Sequence, residues 1–256
     1  MNGDLVNRQL DLEALNEVFE KQKPAEIVQW AAGEFSSTLA MTSSFGPESG
    51  VLLHLVSQVN PEIPVLFLET GYHFPETLEY RDALVKRFGL KKCVDLRADE
   101  AKRTALIQKH DGKPYEHDPD QCCHVNKVEP LDQALKQYSA WMTGIRRHQT
   151  DVRKTIRVLE LYEGGRYKIS PLANWTSRDT WWYLKEHAIP QHPLYEKGYL
   201  SIGCWPCTRP IQAGDDERSG RWAGRAKKEC GIHLFQEIKR ADDKEKTSAP
   251  DISADI

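Results

Sequence analysis

Alternating strand and helix signals predict an α/β protein built on a mostly parallel, twisted sheet with helices on both faces. Three observations carry that expectation. Apolar runs such as IPVLFLET (63–70) are continuous, the pattern of a strand buried on both sides. Helix-length amphipathic segments separate the runs, long enough for the crossovers parallel strands require. Asn-Pro, Gly-Pro and single glycines fall between the two kinds of segment.

The elements follow in order. Residues 4–35 read as two helices divided at Pro24, with Leu5, Leu12, Leu15, Val18 and Phe19 on the first and Ile27, Val28, Trp30 and Ala31 on the second. TLAMTSSF (38–45) is a strand running into Gly46-Pro47, and SGVLLHLVSQV (49–59) is a helix stopped by Asn60-Pro61. After the strand at 63–70, FPETLEYRDALVKRFG (74–89) is a helix with Pro75 near its start and Gly89 past its end. KKCVDLRA (91–98) is a third strand, in which Cys93 reads as a small buried hydrophobe. Residues 122–138 look helical, SAWMTGI (139–145) and RYKISPL (166–172) are further strands, and TSRDTWWYLKEHA (176–188) is a helix capped by Thr176 with Asp179 in its first turn. Beyond residue 190 the pattern turns loop-like, 211–229 is polar, Gly-rich and basic, and 240–256 reads as a disordered tail.

The chain has 256 residues, 39% hydrophobic and 29% charged, with a net charge of −3, so a core is affordable and a nucleic-acid binder is disfavoured on bulk charge. No apolar run nears the roughly 18 residues of a membrane span. The first 22 residues are acidic and amphipathic, unlike a signal peptide, which places the chain in the cytoplasm, where cysteines are reduced, catalytic or metal-bound.

Ligands of parallel α/β sheets bind at the carboxyl ends of strands. Here three such ends carry small residues: Ser43-Ser44-Phe45-Gly46, Thr70-Gly71 and Thr143-Gly144. The first, SSFGPESG, is strand, glycine turn and helix, a phosphate-binding arrangement without the Walker Gly-Lys-Ser/Thr. Two basic groups reinforce it: Arg146, Arg147, Arg153, Lys154 and Arg157, then Arg218, Arg221, Arg225, Lys227 and Lys228. Arginine forks suit phosphate and sulfate oxygens, although any one of these residues is as well explained as a solvated face. In a net-acidic chain they point to a small polyanion, with RNA left open.

Six cysteines are present, and Cys122-Cys123 pairs with Cys204-Trp-Pro-Cys207 as a four-thiolate ligand set. An adjacent pair strains a tetrahedral site around one zinc ion but reaches two corners of an iron–sulfur cubane, so spacing favours iron–sulfur. Buried thiols, a vicinal disulfide and a C-x-x-C redox pair remain the other readings. Cys230 stands alone in KKECGIHLF; two lysines favour its thiolate, Glu229 opposes it, and nucleophile and incidental cysteine balance on chemistry alone.

Taken together, CC…C-x-x-C, ECGIH, TSSFGPES, FLETGYHFPET and TGIRRHQTDVR resemble an assimilatory sulfonucleotide reductase of the cluster-containing, adenylyl-sulfate (APS) kind, over about residues 25–235. The resemblance implies an adenine-nucleotide hydrolase-like α/β fold related to ATP pyrophosphatases. It implies a nucleotide- and cluster-binding domain at 1–210, with a helical extension at 1–24, and a mobile segment at 211–239 that bears the nucleophile. It further implies a 4Fe–4S cluster on Cys122, Cys123, Cys204 and Cys207, and Cys230 as nucleophile. Substrate contacts would come from Ser43, Gly46, Glu48, Thr70, Lys127, Gly144, Arg153, Arg218, Arg221 and His233. The loop before Arg153 and the stretch from Cys207 to Cys230 are slightly short for the pattern.

The implied reaction is thioredoxin-dependent reduction of APS to sulfite and AMP through a cysteine S-sulfonate, in assimilatory sulfate reduction, with thioredoxin or a glutaredoxin-like protein as reductant. No nucleic acid or membrane partner is expected, and self-association stays open. The rivals are a 3′-phosphorylated (PAPS) or dual-substrate reductase, an iron–sulfur tRNA-thiolating enzyme, for which SSFGPES lacks the Asp of the pyrophosphatase loop, and a zinc-stapled nucleic-acid module.

Overall fold

The computed structural model describes residues 10–212 and 214–232. The first nine residues of the expected N-terminal extension, the end of the 211–239 segment including His233, and the 240–256 tail lie outside the described residues. A six-stranded sheet of order β3-β2-β1-β4-β6-β5 forms the centre, from β1 (Leu39–Thr42), β2 (Val65–Leu68), β3 (Cys93–Leu96), β4 (Ala140–Met142), β5 (Leu159–Tyr162) and β6 (Arg166–Ile169). All pairings are parallel except β5 with β6.

Period-two alternation divides the strand residues between two cores. Met41, Val65, Phe67, Met142 and Ile169 face the larger core, with residues from α1 (Leu12–Phe19), α2 (Pro24–Phe35), α3 (Gly50–Val59), α4 (Pro75–Phe88) and α9 (Ser177–Glu186). Ala40, Leu66 and Trp141 face a smaller core with Leu131 and Leu135 of α8 (Glu129–Leu135). Helices therefore cover both faces, and the expected fold class holds. Among the described residues no helix is long and apolar enough to cross a membrane.

Local signals explain the elements. Pro75 opens α4 and Gly89, at φ 63°, closes it in the left-handed region that favours glycine. Thr176 and Asp179 cap α9 reciprocally, the Asp179 N–H donating to Thr176 Oγ1 at 3.2 Å and the Thr176 N–H to Asp179 Oδ2 at 2.8 Å. Pro24, expected to divide two helices, is the first residue of the second.

Several elements differ from expectation. The stretch 157–165 holds strand β5 and a Gly164-Gly165 turn, both glycines at positive φ, which folds β5 back antiparallel on β6. Helix α5 (Glu100–Lys109) escapes sequence reading because only Leu106 is buried on it, so it carries no apolar stripe. The helix expected over 122–138 is three pieces: α7 (Pro119–Cys123), a π-helical turn over His124–Val128, and α8. Pro130 has no N–H to donate to the Asn126 carbonyl four residues back, and the Asn126 side chain donates to the Cys122 carbonyl at 2.9 Å. That widened turn carries Lys127. Short α6 (Pro114–His117) precedes α7. Cys93 is half-buried against the larger core, and burial pushes its thiol up to about 11.

Candidate active site

Strand β1 has β2 on one side and β4 on the other, and connections leave in opposite directions from it. Such a switch point opens a crevice at the strand ends. A cavity of about 220 Å³ lies there, lined by Thr42 at the end of β1 and Ser43, Ser44 and Gly46 after it, Leu66–Leu68 of β2, and Thr143, Gly144, Arg146 and Arg153 after β4. The 200–232 segment forms its other wall with Cys204, Arg218, Arg221, Trp222, Glu229 and Cys230.

The loop after β1 is tightly held. Phe45 is fully buried at φ 48°, an unusual backbone for a non-glycine, and its N–H donates to Ser43 Oγ at 3.1 Å. Glu48 pairs with the buried Arg146 and accepts from Thr180 Oγ1 at 2.6 Å, which ties the loop to the end of β4 and to α9. Arginine Nε groups of Arg146, Arg218 and Arg221 are buried without a hydrogen-bond partner. Three buried Nε donors left unused, on the buried Arg146 and the half-buried Arg218 and Arg221, suit a polyanionic ligand.

Glu229 sits among Arg153, Arg218 and Thr150. Arg153 donates from Nε and Nη2 to its two oxygens at 2.8 Å each, Thr150 at 3.1 Å and Arg218 at 3.5 Å. Burial alone would raise the Glu229 pKa, but the Arg153 guanidinium, with Arg218 and Thr150 behind it, holds it below the usual carboxylate range. Burial, and then Arg153, lower Arg218 to about 10.

A second, smaller cavity adjoins the first. Cys122, Cys123, Cys204 and Cys207 all line it, with Thr70, Tyr72, Asn126 and Lys127. Lys127 and Cys204 line both cavities and so form the partition. Burial, then repulsion from Cys123, Cys204 and Cys207, pushes the Cys122 thiol up to about 12. Four thiolates here would therefore need bound positive charge. Burial works against the Lys127 ammonium, yet Cys204, Cys230 and Cys123 outweigh it and raise its pKa. Among the described residues no three His, Cys, Asp or Glu side chains converge on a single-ion site.

A family model described as the phosphoadenosine phosphosulfate reductase domain matches residues 38–210. The chain belongs to this reductase family. Within it, the chain is 46% identical to the adenosine 5'-phosphosulfate reductase of Mesorhizobium japonicum, over 86% of each chain. It is 41% identical to the phosphoadenosine 5'-phosphosulfate reductase of Gloeobacter violaceus, over 88% of this chain and 94% of that one. Among solved structures, the phosphoadenylyl-sulfate reductase of Candida auris, a phosphate complex, is similar at 28% identity and TM-score 0.65, covering 76% of this chain and 94% of that one.

On this reductase fold, most residues expected at the site come together. Ser43, Gly46, Glu48, Lys127, Gly144, Arg153, Arg218, Arg221 and Cys230 line the larger cavity, and the four paired cysteines line the smaller. Thr70 lies on the cysteine side, its Oγ1 3.3 Å from Cys204 Sγ. His233 lies outside the described residues. Of the first basic group only Arg146 and Arg153 reach the cavity; Arg147 pairs with Glu20, Lys154 with Asp151 and Arg157 with Glu13. Sequence reading missed His73, which lines the larger cavity with its Nε2 2.8 Å from the Leu68 carbonyl and its ring against Phe67. Its position one turn after a strand end was the available signal.

Proposed function

We propose that the chain reduces adenosine 5'-phosphosulfate to sulfite and AMP, with Cys230 as nucleophile. One observation carries the reading: Cys230 lines the same cavity as the 43–46 loop, Lys127, Arg218 and Arg221. The Cys230 thiolate attacks the sulfur of the sulfate group, an S–S bond forms, and the S–O bond to phosphate breaks. AMP leaves with that electron pair, its charge met by Lys127, the arginines and the donors of the β1 loop. A thioredoxin thiolate then attacks Cys230 Sγ, and sulfite departs with the S–S bonding pair. The second thioredoxin thiol resolves the mixed disulfide, so the two electrons come from thioredoxin. The described elements and the bacterial relatives fit a cytoplasmic, assimilatory role.

Cys122, Cys123, Cys204 and Cys207 would hold a 4Fe–4S cluster, whose iron centres would offset the charge of the four thiolates. Thr70 Oγ1 at Cys204 Sγ and Asn126 Nδ2, 3.8 Å from Cys122 Sγ, would orient the thiolates. Lys127, on the partition, would hold the sulfate oxygens while the S–O bond breaks.

The test mixes the protein with APS alone and reads peptides by mass spectrometry. A sulfonate adduct on Cys230, absent from Cys230→Ser, is expected; turnover of the serine variant at the normal rate sinks the reading. Iron and sulfide analysis decides the cluster, because zinc without either would return the four cysteines to a structural staple. Comparing turnover on APS and PAPS decides between the two substrates named for the relatives.

A further inference from the structure

Glu229 is a buried carboxylate that the proposed chemistry does not use. Its two oxygens face one edge of Arg153 in parallel, the bidentate arrangement that fixes direction as well as distance. Arg153 belongs to the stretch after β4, whereas Arg218 and Glu229 belong to the wall that carries Cys230. The carboxylate thus joins the two walls one residue before the nucleophile. Thr150 Oγ1 adds a third contact, and Arg153 Nη1 is held in turn by Gln149 Oε1 at 2.5 Å. Three of the five Arg153 N–H donors are thereby used inside the protein.

The chain around Cys230 has few other fixed points. The Cys230 backbone has no regular secondary structure, and Gly231 follows at φ 92°. On one side Lys227 pairs with the exposed Asp120; on the other Ile232 packs against the smaller core. Among the described residues, Glu229 is the contact adjacent to the thiol that is both buried and directional.

We infer that Glu229 is a positioning residue: its carboxylate, bridging Arg153 and Arg218, fastens the tail so that Cys230 faces the cavity. The inference rests on the proposed role of Cys230. Without the charge, the buried Arg153 and the half-buried Arg218 are left facing each other, and the tail loses its fixed point. The effect falls on the orientation of the thiol more than on nucleotide affinity, because the β1 loop, Lys127 and the Nε donors of Arg146, Arg218 and Arg221, none of which Glu229 occupies, remain to hold the nucleotide.

Glu229→Gln in the cluster-loaded protein tests this. Single-turnover formation of the Cys230 adduct is expected to slow at least tenfold, AMP affinity to stay within twofold, and Glu229→Asp to recover part of the rate. Adduct formation at the normal rate, or a loss of AMP affinity as large as the loss of rate, overturns it. Alkylation of Cys230 by iodoacetamide without nucleotide, read at that peptide, is expected to quicken at least fivefold; an unchanged rate overturns it. The alkylation measurement needs no turnover. If the wild-type protein forms no adduct, the reaction fails while the anchoring role is still decided. Should Glu229→Gln fail to fold, Thr150→Val, which removes one contact to the same carboxylate, is expected to slow the adduct about threefold and to overturn the inference if it does not.

Discussion

Residues 42–49 and 143–146 reach the cavity from the ends of β1 and β4, whereas residues 218–230 reach it from a stretch in which, among the described residues, no helix or strand is formed. Behind the first wall stand Phe45, Phe67 and Met142, all fully buried. Behind the second stand ion pairs and short backbone links: Arg209 N–H to the Gly220 carbonyl at 2.9 Å, Trp222 N–H to the Cys207 carbonyl at 3.1 Å, and Glu229 on Arg153. Apolar packing is non-directional and rigid, and it suits a seat for the nucleotide. Polar links can be exchanged at low cost, and they suit the wall whose cysteine, in the proposed mechanism, meets first a substrate and then a protein reductant. The molecule separates holding from handing over by building the two walls from different forces.

Acid should separate the walls first, with the largest effect. His192 is buried; its Nδ1 accepts from the Leu194 N–H at 3.1 Å, so its Nε2 donates to Thr77 Oγ1 at 3.0 Å. Burial lowers its pKa from 6.5 to about 4. The unfolded chain then binds the proton first, so this stabilisation is complete above about pH 6.5 and lost as pH falls toward 4. The loss is roughly 3 kcal/mol. The Glu229 pKa is lowered below the ordinary carboxylate value, so its contribution persists until more acidic pH. Denaturant melts at pH 7 and 5 should show falling global stability while Cys230 alkylation stays slow; His192→Asn should flatten that slope.

Two glycines offer a matched pair. A Cβ on Gly50 would stand 2.8 Å from Ile189 Cγ2 and 3.2 Å from Leu184 Cδ2, where α3 crosses α9. Gly50→Val should cost about 2 kcal/mol of global stability by overpacking. A Cβ on Gly220 would stand 2.2 Å from the Arg209 carbonyl oxygen, which is backbone and cannot rotate away. Gly220→Val should leave the melting of the sheet unchanged yet slow sulfite release about tenfold, about 1.4 kcal/mol in barrier. Equal loss of stability in both variants would mean that the walls are one packed unit.

The same division governs what the sequence disclosed. Strands β1, β2 and β4 are legible because burial on both faces makes their residues uniformly apolar, and the small residues after them announced the cavity. The CC and C-x-x-C pairs pointed to a common location, and all four cysteines line one cavity. Lys127 was legible only through family likeness, since the π-helical turn that aims it depends on where Pro130 falls in the helix. Glu229 was read as a nuisance to the Cys230 thiolate. Its neighbours Arg153 and Arg218 are 76 and 11 residues away, and no local pattern encodes that meeting.

The basic run 146–157 gives the smallest effect and the sharpest check on reading charge from sequence. Its five cations look alike in sequence, yet Arg157 turns outward and grips Glu13 with Nη1 at 2.5 Å and Nη2 at 2.8 Å. Glu13 is largely exposed, and pairs of this kind are worth under about 1 kcal/mol because water and salt screen them. Arg146, by contrast, is buried on the wall itself. Arg157→Gln should therefore leave AMP affinity unchanged and shift stability by no more than about 0.5 kcal/mol. A tenfold weakening of AMP binding would mean that long-range charge from the surface, and not the buried donors of Arg146, Arg218 and Arg221, draws the nucleotide in. That weakening would then shrink steeply with added salt, since exposed charges beyond about 10 Å are screened at 0.1 M ionic strength. If affinity is unchanged at both low and high salt, recruitment is local to the walls.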